Sequence, residues 1–202
     1  MTKSLMFNDL SFKQAGKSCQ IAALGVAHYY FSKSLGLNPN YLKDTVHFSY
    51  LFKTYLYYVS CLPDLSTEER KQCNSNSPVG DAAVLENKVH EVFLGYCKKR
   101  GIKGSEHIAK FSSYLCEQTN APKIKARAYH TQKVVIEDII NVLQKEEALI
   151  TALINNDNHW VVLGYDEGPY IIDTGRGCPL VQPITQSDIE KVGITEYIKY
   201  SL

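Results

Sequence analysis

The chain has 202 residues, with 22 Lys and Arg against 21 Asp and Glu for a formal net charge of +1, and is 45% hydrophobic and 21% charged. That length is enough to bury a real core within one domain, and the ordinary apolar and charged fractions argue against intrinsic disorder and against a membrane class. A near-neutral balance carries no broad field toward nucleic acid or anionic lipid, so partners have to be recognised by local chemistry.

The first twelve residues carry Lys3, Asn8 and Asp9 around a short apolar patch, without the continuous apolar stretch and small-residue cleavage site of a secretory signal. The expected location is a reducing cytosol with free thiols, and export by a route that needs no cleaved signal stays open. From Gln14 to Leu24 a loop turns into a helix at Ser18 or Cys19, with Ser18 as its candidate N-cap. Ile21, Leu24, Ala27, His28 and Phe31 then share one broad face as far as about Lys33, and Gly36 closes the segment. A cysteine in the first helical turn faces unpaired amide donors and the positive end of the helix dipole, both of which favour thiolate over thiol.

The stretch Val46 to Leu62 places Phe48, Leu51, Phe52, Tyr55, Val59 and Leu62 on one stripe. His47, Tyr50, Lys53, Tyr57 and Tyr58 fall largely elsewhere; the stretch reads as a core helix whose outer tyrosines offer a docking surface. It is too short and interrupted for a stable membrane span. Pro63 to Asp81 is polar and is expected to form a mobile loop or lid. A helix over Leu85 to Arg100 ends on Lys98, Lys99 and Arg100 with Gly101 as C-cap, and Ser105 caps the next, which carries Ile108, Phe111 and Leu115.

The period then changes. Ile124, Ala126 and Ala128 alternate with Lys and Arg as a half-exposed strand, and Val135, Ile136, Ile139, Ile140 and Leu143 form a short helix. Ala148 to Ile154, His159 to Tyr165, Tyr170 to Asp173 and Ile194 to Tyr200 read as strands, with Asp166-Glu167-Gly168-Pro169 as a hairpin turn. The fold class is therefore α+β: one domain over 1–202, with a helical lobe over about 1–120 packed on an antiparallel sheet lobe over about 121–202.

Six cysteines (Cys19, Cys61, Cys73, Cys97, Cys116 and Cys178) include no pair with the spacing of a zinc knuckle or redox motif, so no metal and no cofactor is expected. Taken singly, Cys19 reads as a small buried residue, His159 as a satisfied strand histidine, Asp173 as a turn-former before Thr174-Gly175, and Gln14 as a loop residue. Taken in chain order they compose a thiol-nucleophile set. His159 opens one strand and Asp173 ends the returning one, so adjacent antiparallel strands bring the imidazole and its orienting carboxylate together. Gln14 and the Cys19 amide are candidate donors to an oxyanion. Trp160, beside His159, reads as a cleft-wall residue and Cys178 as a chance buried cysteine.

These residues resemble the papain-like cysteine peptidase superfamily, closest to the bacterial peptidase C39-like branch and its effector relatives. The matching pieces are Gln14 with Cys19-Gln20-Ile21-Ala22-Ala23-Leu24, and His159-Trp160-Val161-Val162-Leu163-Gly164-Tyr165-Asp166 with Tyr170-Ile171-Ile172-Asp173. The resemblance implies Cys19 as nucleophile, His159 as base and acid, Asp173 as orienter and Gln14 as oxyanion donor. The implied activity is thiol hydrolysis of an amide bond, foremost a cysteine protease on a protein or peptide substrate, with delivery into a host cell as one route of action. Transglutamination or glutamine deamidation by the same triad, and a catalytically silent binding module, are the alternatives. No nucleic-acid partner is expected, the oligomeric state is left open, and residues 37–123 match nothing in the family.

Overall fold

The computed structural model describes residues 7, 9–11, 18–37, 45–73, 82–119, 123–130, 135–154, 159–175 and 180–202. The helices are α1 (Cys19–Ser34), α2 (Thr45–Ser60), α3 (Thr67–Cys73), α4 (Ala82–Arg100), α5 (Gly104–Thr119), α6 (Ile136–Lys145) and α7 (Gln186–Val192). The strands are β1 (Lys125–His130), β2 (Leu149–Ile154), β3 (His159–Tyr165), β4 (Pro169–Asp173), β5 (Leu180–Pro183) and β6 (Glu196–Ser201). Among the described residues this is a mixed α+β fold of seven helices and one six-stranded sheet, in the order β1-β6-β2-β3-β4-β5 with every pairing antiparallel. Among the described residues five helices precede the first strand, where the change of hydrophobic period places it after four; α3 is the one the sequence did not announce.

The centre of the molecule is α1. Every residue from Gln20 to Ser32 is buried, so the single apolar face expected from the sequence is too narrow a description. Ala22, Ala23, Gly25 and Ala27 keep the helix slim enough to lie between β2 and β3 on one side and α2 and α5 on the other. A helix apolar all round has no stable position except inside. Its end is set by a hydrogen-bonded reversal in which the Leu37 and Gly36 amides donate to the Ser32 and Lys33 carbonyls, both at 3.0 Å, with Gly36 at φ 71°. The same reversal ends α4: the Ile102 amide donates to Cys97 at 3.0 Å, and Gly101 sits at φ 63°, as its C-cap role predicts.

On α2 the stripe Phe48, Leu51, Phe52, Tyr55, Leu56 and Val59 is buried. Tyr55 stands edge-on to Phe93 of α4 at 5.9 Å and to Phe111 of α5 at 5.4 Å. Tyr58 tilts onto Phe111 and Tyr114 at 5.1 and 5.3 Å, so the outer tyrosine face reduces to Tyr50 and Tyr57.

Two expectations are corrected here. The polar stretch 63–81 is no open lid over its first half: α3 occupies Thr67–Cys73, while residues 74–81 lie outside the described residues. A capping box starts α3, the Glu69 amide donating to Ser66 Oγ at 3.1 Å and the Ser66 amide to Glu69 Oε2 at 2.8 Å. The Arg70 guanidinium then donates to the carbonyls of Ser60 and Leu62, and Lys99 pairs with Glu69 at 2.7 Å, tying α3 to its neighbours. Ser105, expected as a cap, lies inside α5, which begins one residue earlier. It is fully buried and donates instead to Glu196 of β6 at 2.7 Å.

Strand alternation divides the sheet into two apolar faces. Leu149, Trp160, Val162, Tyr170, Ile172, Ile198 and Tyr200 join the helices α1, α2, α4 and α5 in one core. Ile150, Ala152, Val161 and Leu163 join Ile139 and Leu143 of α6 and Ile189 of α7 in a second. The sheet is thus covered on both faces, not on one alone. Trp160, read from sequence as a cleft wall, is part of the first core and 7% exposed. Where β3 and β4 pair, Gly164 faces Tyr170, and a Cβ on Gly164 would come within 2.3 Å of the Tyr170 ring. The glycine is there so that the ring can lie across the strand. No helix among the described residues is long and apolar enough to cross a membrane.

Candidate active site

Two elements of the fold deliver the candidate residues. Cys19 is the first residue of α1, and α1 packs against β3, whose own first residue is His159. The hairpin at 166–168 returns the chain as β4, which ends at Asp173, so His159 and Asp173 lie at the same end of an antiparallel pair. The three come together as the order along the chain predicts, the thiol from the helical half and the pair from the sheet.

His159 Nε2 and Asp173 Oδ1 are 2.7 Å apart, with each side chain 23% exposed. The Cys19 side chain is hydrogen-bonded to the same imidazole. With Nε2 donating to the carboxylate, the neutral ring carries its lone pair on Nδ1, the nitrogen left for the sulfur. The imidazole is pushed up from its ordinary 6.5 to about 9, first by the hydrogen bond with Cys19 and then by Asp173, against a burial that works the other way. A ring that holds its proton between a sulfur and a carboxylate is one half of an ion pair in waiting.

Ser18 occupies the N-cap position of α1, but its side chain makes no capping hydrogen bond, correcting the expectation for it; its carbonyl accepts from the Ala22 amide at 2.9 Å. The first amides of α1 have no intrahelical carbonyl to bond, so the Cys19 N–H is a donor at the sulfur's own position. Gln14 and Cys178 lie outside the described residues.

The remaining described cysteines differ from Cys19 in setting. Cys73 and Cys97 are buried in the helical core, and burial pushes both thiols up to about 11. Burial also raises Cys116, and Cys61 is exposed. His28, about two and a half turns along α1 from Cys19, is fully buried with Nε2 2.8 Å from Ser112 Oγ, and burial lowers it from 6.5 to about 3. It joins α1 to α5 as a neutral ring and takes no part in the site. Among the described residues no group of His, Cys, Asp and Glu is arranged to hold a metal ion.

One residue at the site has no place among the sequence-based candidates. Gly175 donates its backbone N–H to Asp173 Oδ1 at 2.8 Å, and the space where its side chain would be is filled by the His159 ring. In sequence it looks like an ordinary turn glycine after a strand; the only signal is its place two residues past the carboxylate, where an amide can fold back on an Asp side chain.

Compared with protein-family models, curated proteins and solved structures, the chain matches none.

Proposed function

We propose that this chain is a papain-like thiol hydrolase that cleaves an amide bond in a protein or peptide substrate through Cys19, His159 and Asp173. The observation that carries the reading is the single imidazole bonded to a helix-start sulfur and, at 2.7 Å, to a carboxylate. A histidine serving the core alone needs one partner; this one has the two that thiol catalysis requires. The papain-like arrangement rests on the same support: a buried helix carrying the cysteine, laid against an antiparallel sheet carrying the histidine and the carboxylate.

The steps follow from the placement. With the proton held on His159, the Cys19 sulfur forms a bond to the substrate carbonyl carbon while the π pair moves to oxygen. That oxyanion is held by the Cys19 amide at the start of α1. As the C–N bond breaks, His159 gives its proton to the leaving amine and a thioester remains on Cys19. Water, losing a proton to His159, then attacks the thioester and releases the acid and the thiol. Asp173 stays ionised throughout, holding the ring in one tautomer.

The test is the pH dependence of Cys19 alkylation by iodoacetamide in wild type and in His159→Ala, read by peptide mapping because Cys61 is also exposed. Wild-type Cys19 is expected to react faster at neutral pH than Cys19 in His159→Ala, which lacks the base, so that the two pH profiles differ. Superimposable profiles would overturn the reading and leave a fold of this kind used for binding.

A further inference from the structure

We propose that Gly175 is a positioning residue for the Cys19–His159–Asp173 site: its absent side chain admits the imidazole, and its amide fixes the carboxylate that orients it. The inference rests on the functional reading above. Asp173 Oδ1 accepts two hydrogen bonds, from His159 Nε2 at 2.7 Å and from the Gly175 N–H at 2.8 Å. Two donors on one oxygen fix the carboxylate more firmly than either alone, and so fix the face the imidazole turns toward the sulfur.

The space is as telling as the bond. A Cβ on Gly175 would lie 2.9 Å from His159 Cε1, 3.3 Å from His159 Nε2 and 3.2 Å from Asp173 Oδ1. The ring is bonded to Asp173 and to the Cys19 side chain, which limits how far it can swing away. The usual reason for a glycine after a strand does not apply, because the left-handed backbone among the described glycines belongs to Gly36, Gly101 and Gly193, and not to Gly175. Its backbone would accept alanine; the His159–Asp173 pair would not.

An added methyl therefore displaces the imidazole by a few tenths of an ångström relative to the sulfur. Misplacing a reacting group by about 1 Å costs on the order of 100-fold, so a loss of roughly tenfold is expected here. Gly175→Ala is made alone and together with His159→Ala. Alkylation of Cys19 against pH and thermal unfolding are measured for each, and the His159 ring titration by NMR for wild type and the single variant.

The single variant is expected to fold, to lose roughly tenfold in alkylation at neutral pH and to show His159 titrating below its wild-type value. In the His159→Ala background the same methyl is expected to cost much less stability, because the ring it strikes most closely is gone. A Gly175→Ala protein with the wild-type alkylation profile and titration overturns the proposal. Should the single variant fail to fold, restored folding in the double variant supports the contact and continued failure overturns it. If wild-type alkylation itself proves independent of His159, the hydrolase reading falls, while the stability comparison still decides whether Gly175 and His159 meet.

Discussion

Removing the Cys19 side chain should change the titration of a histidine 140 residues away in sequence. His159 stands at about 9 against an ordinary 6.5, a difference of about 2.5 pH units, or about 3 kcal/mol of preference for the charged ring. The hydrogen bond with Cys19 is the largest cause and Asp173 the next, while burial opposes both. Cys19→Ala deletes the first and leaves Asp173 working against burial, so the ring should titrate lower by more than about one pH unit. The assay is a pH series of imidazole C–H correlations on the labelled protein, with the His159 signal assigned by its loss in His159→Ala. The sign carries over to stability. Because the folded value is the raised one, the interaction contributes fully below about 6.5 and is lost as pH rises through about 9. The stability difference between wild type and His159→Ala should shrink across that window, by at most about 3 kcal/mol. A ring that still titrates near 9 in Cys19→Ala would refute the argument that the sulfur is its main partner.

Gly164→Ala should lower stability by about 3 kcal/mol, the upper end for overpacking, because its methyl meets buried Tyr170 ring atoms at 2.3 Å. For a chain of this size that is a fall of roughly 6–12 °C in thermal unfolding, and Tyr170→Leu in the same protein should recover part of it. Below about pH 6.5 the wild type should lose stability through His28, whose folded value near 3 leaves the proton to the unfolded chain. At about pH 5 that loss amounts to about 2 kcal/mol, and chemical denaturation of His28→Gln should lack it, since the amide keeps a partner for Ser112 without a charge to bury.

The order of elements was legible wherever one period ran long enough. The strands His159–Tyr165 and Pro169–Asp173, and the helix Ile136–Lys145, lie within a residue or two of what the alternation and the 3.6-residue spacing predict. What escaped was short or set by contacts. Helices α3 and α7, seven residues each, carry little hydrophobic pattern, though Ser66 with Glu69 and Thr185 with Asp188 wrote their starts as capping boxes. β5 is four residues ending in proline, an edge strand with no period to read. Ser105 sits where a cap would sit, yet Glu196, 91 residues on, claims its hydroxyl. At the site, Cys19, His159 and Asp173 follow from residue type and order. Gly175 does not, because its reason is a void, and a void is visible only once the ring that fills it has been placed.

Burial of α1 on all sides decides which partner in the site is able to move. Its amides should exchange with solvent among the slowest in the molecule, because exposing them means opening both the sheet face and the helical core. The sulfur is in effect anchored to the global stability of the protein. The imidazole and carboxylate sit at strand ends, each 23% exposed. On the proposed reading, any adjustment to a substrate is expected in the chain segments that carry the histidine and carboxylate, not in the helix that carries the thiol.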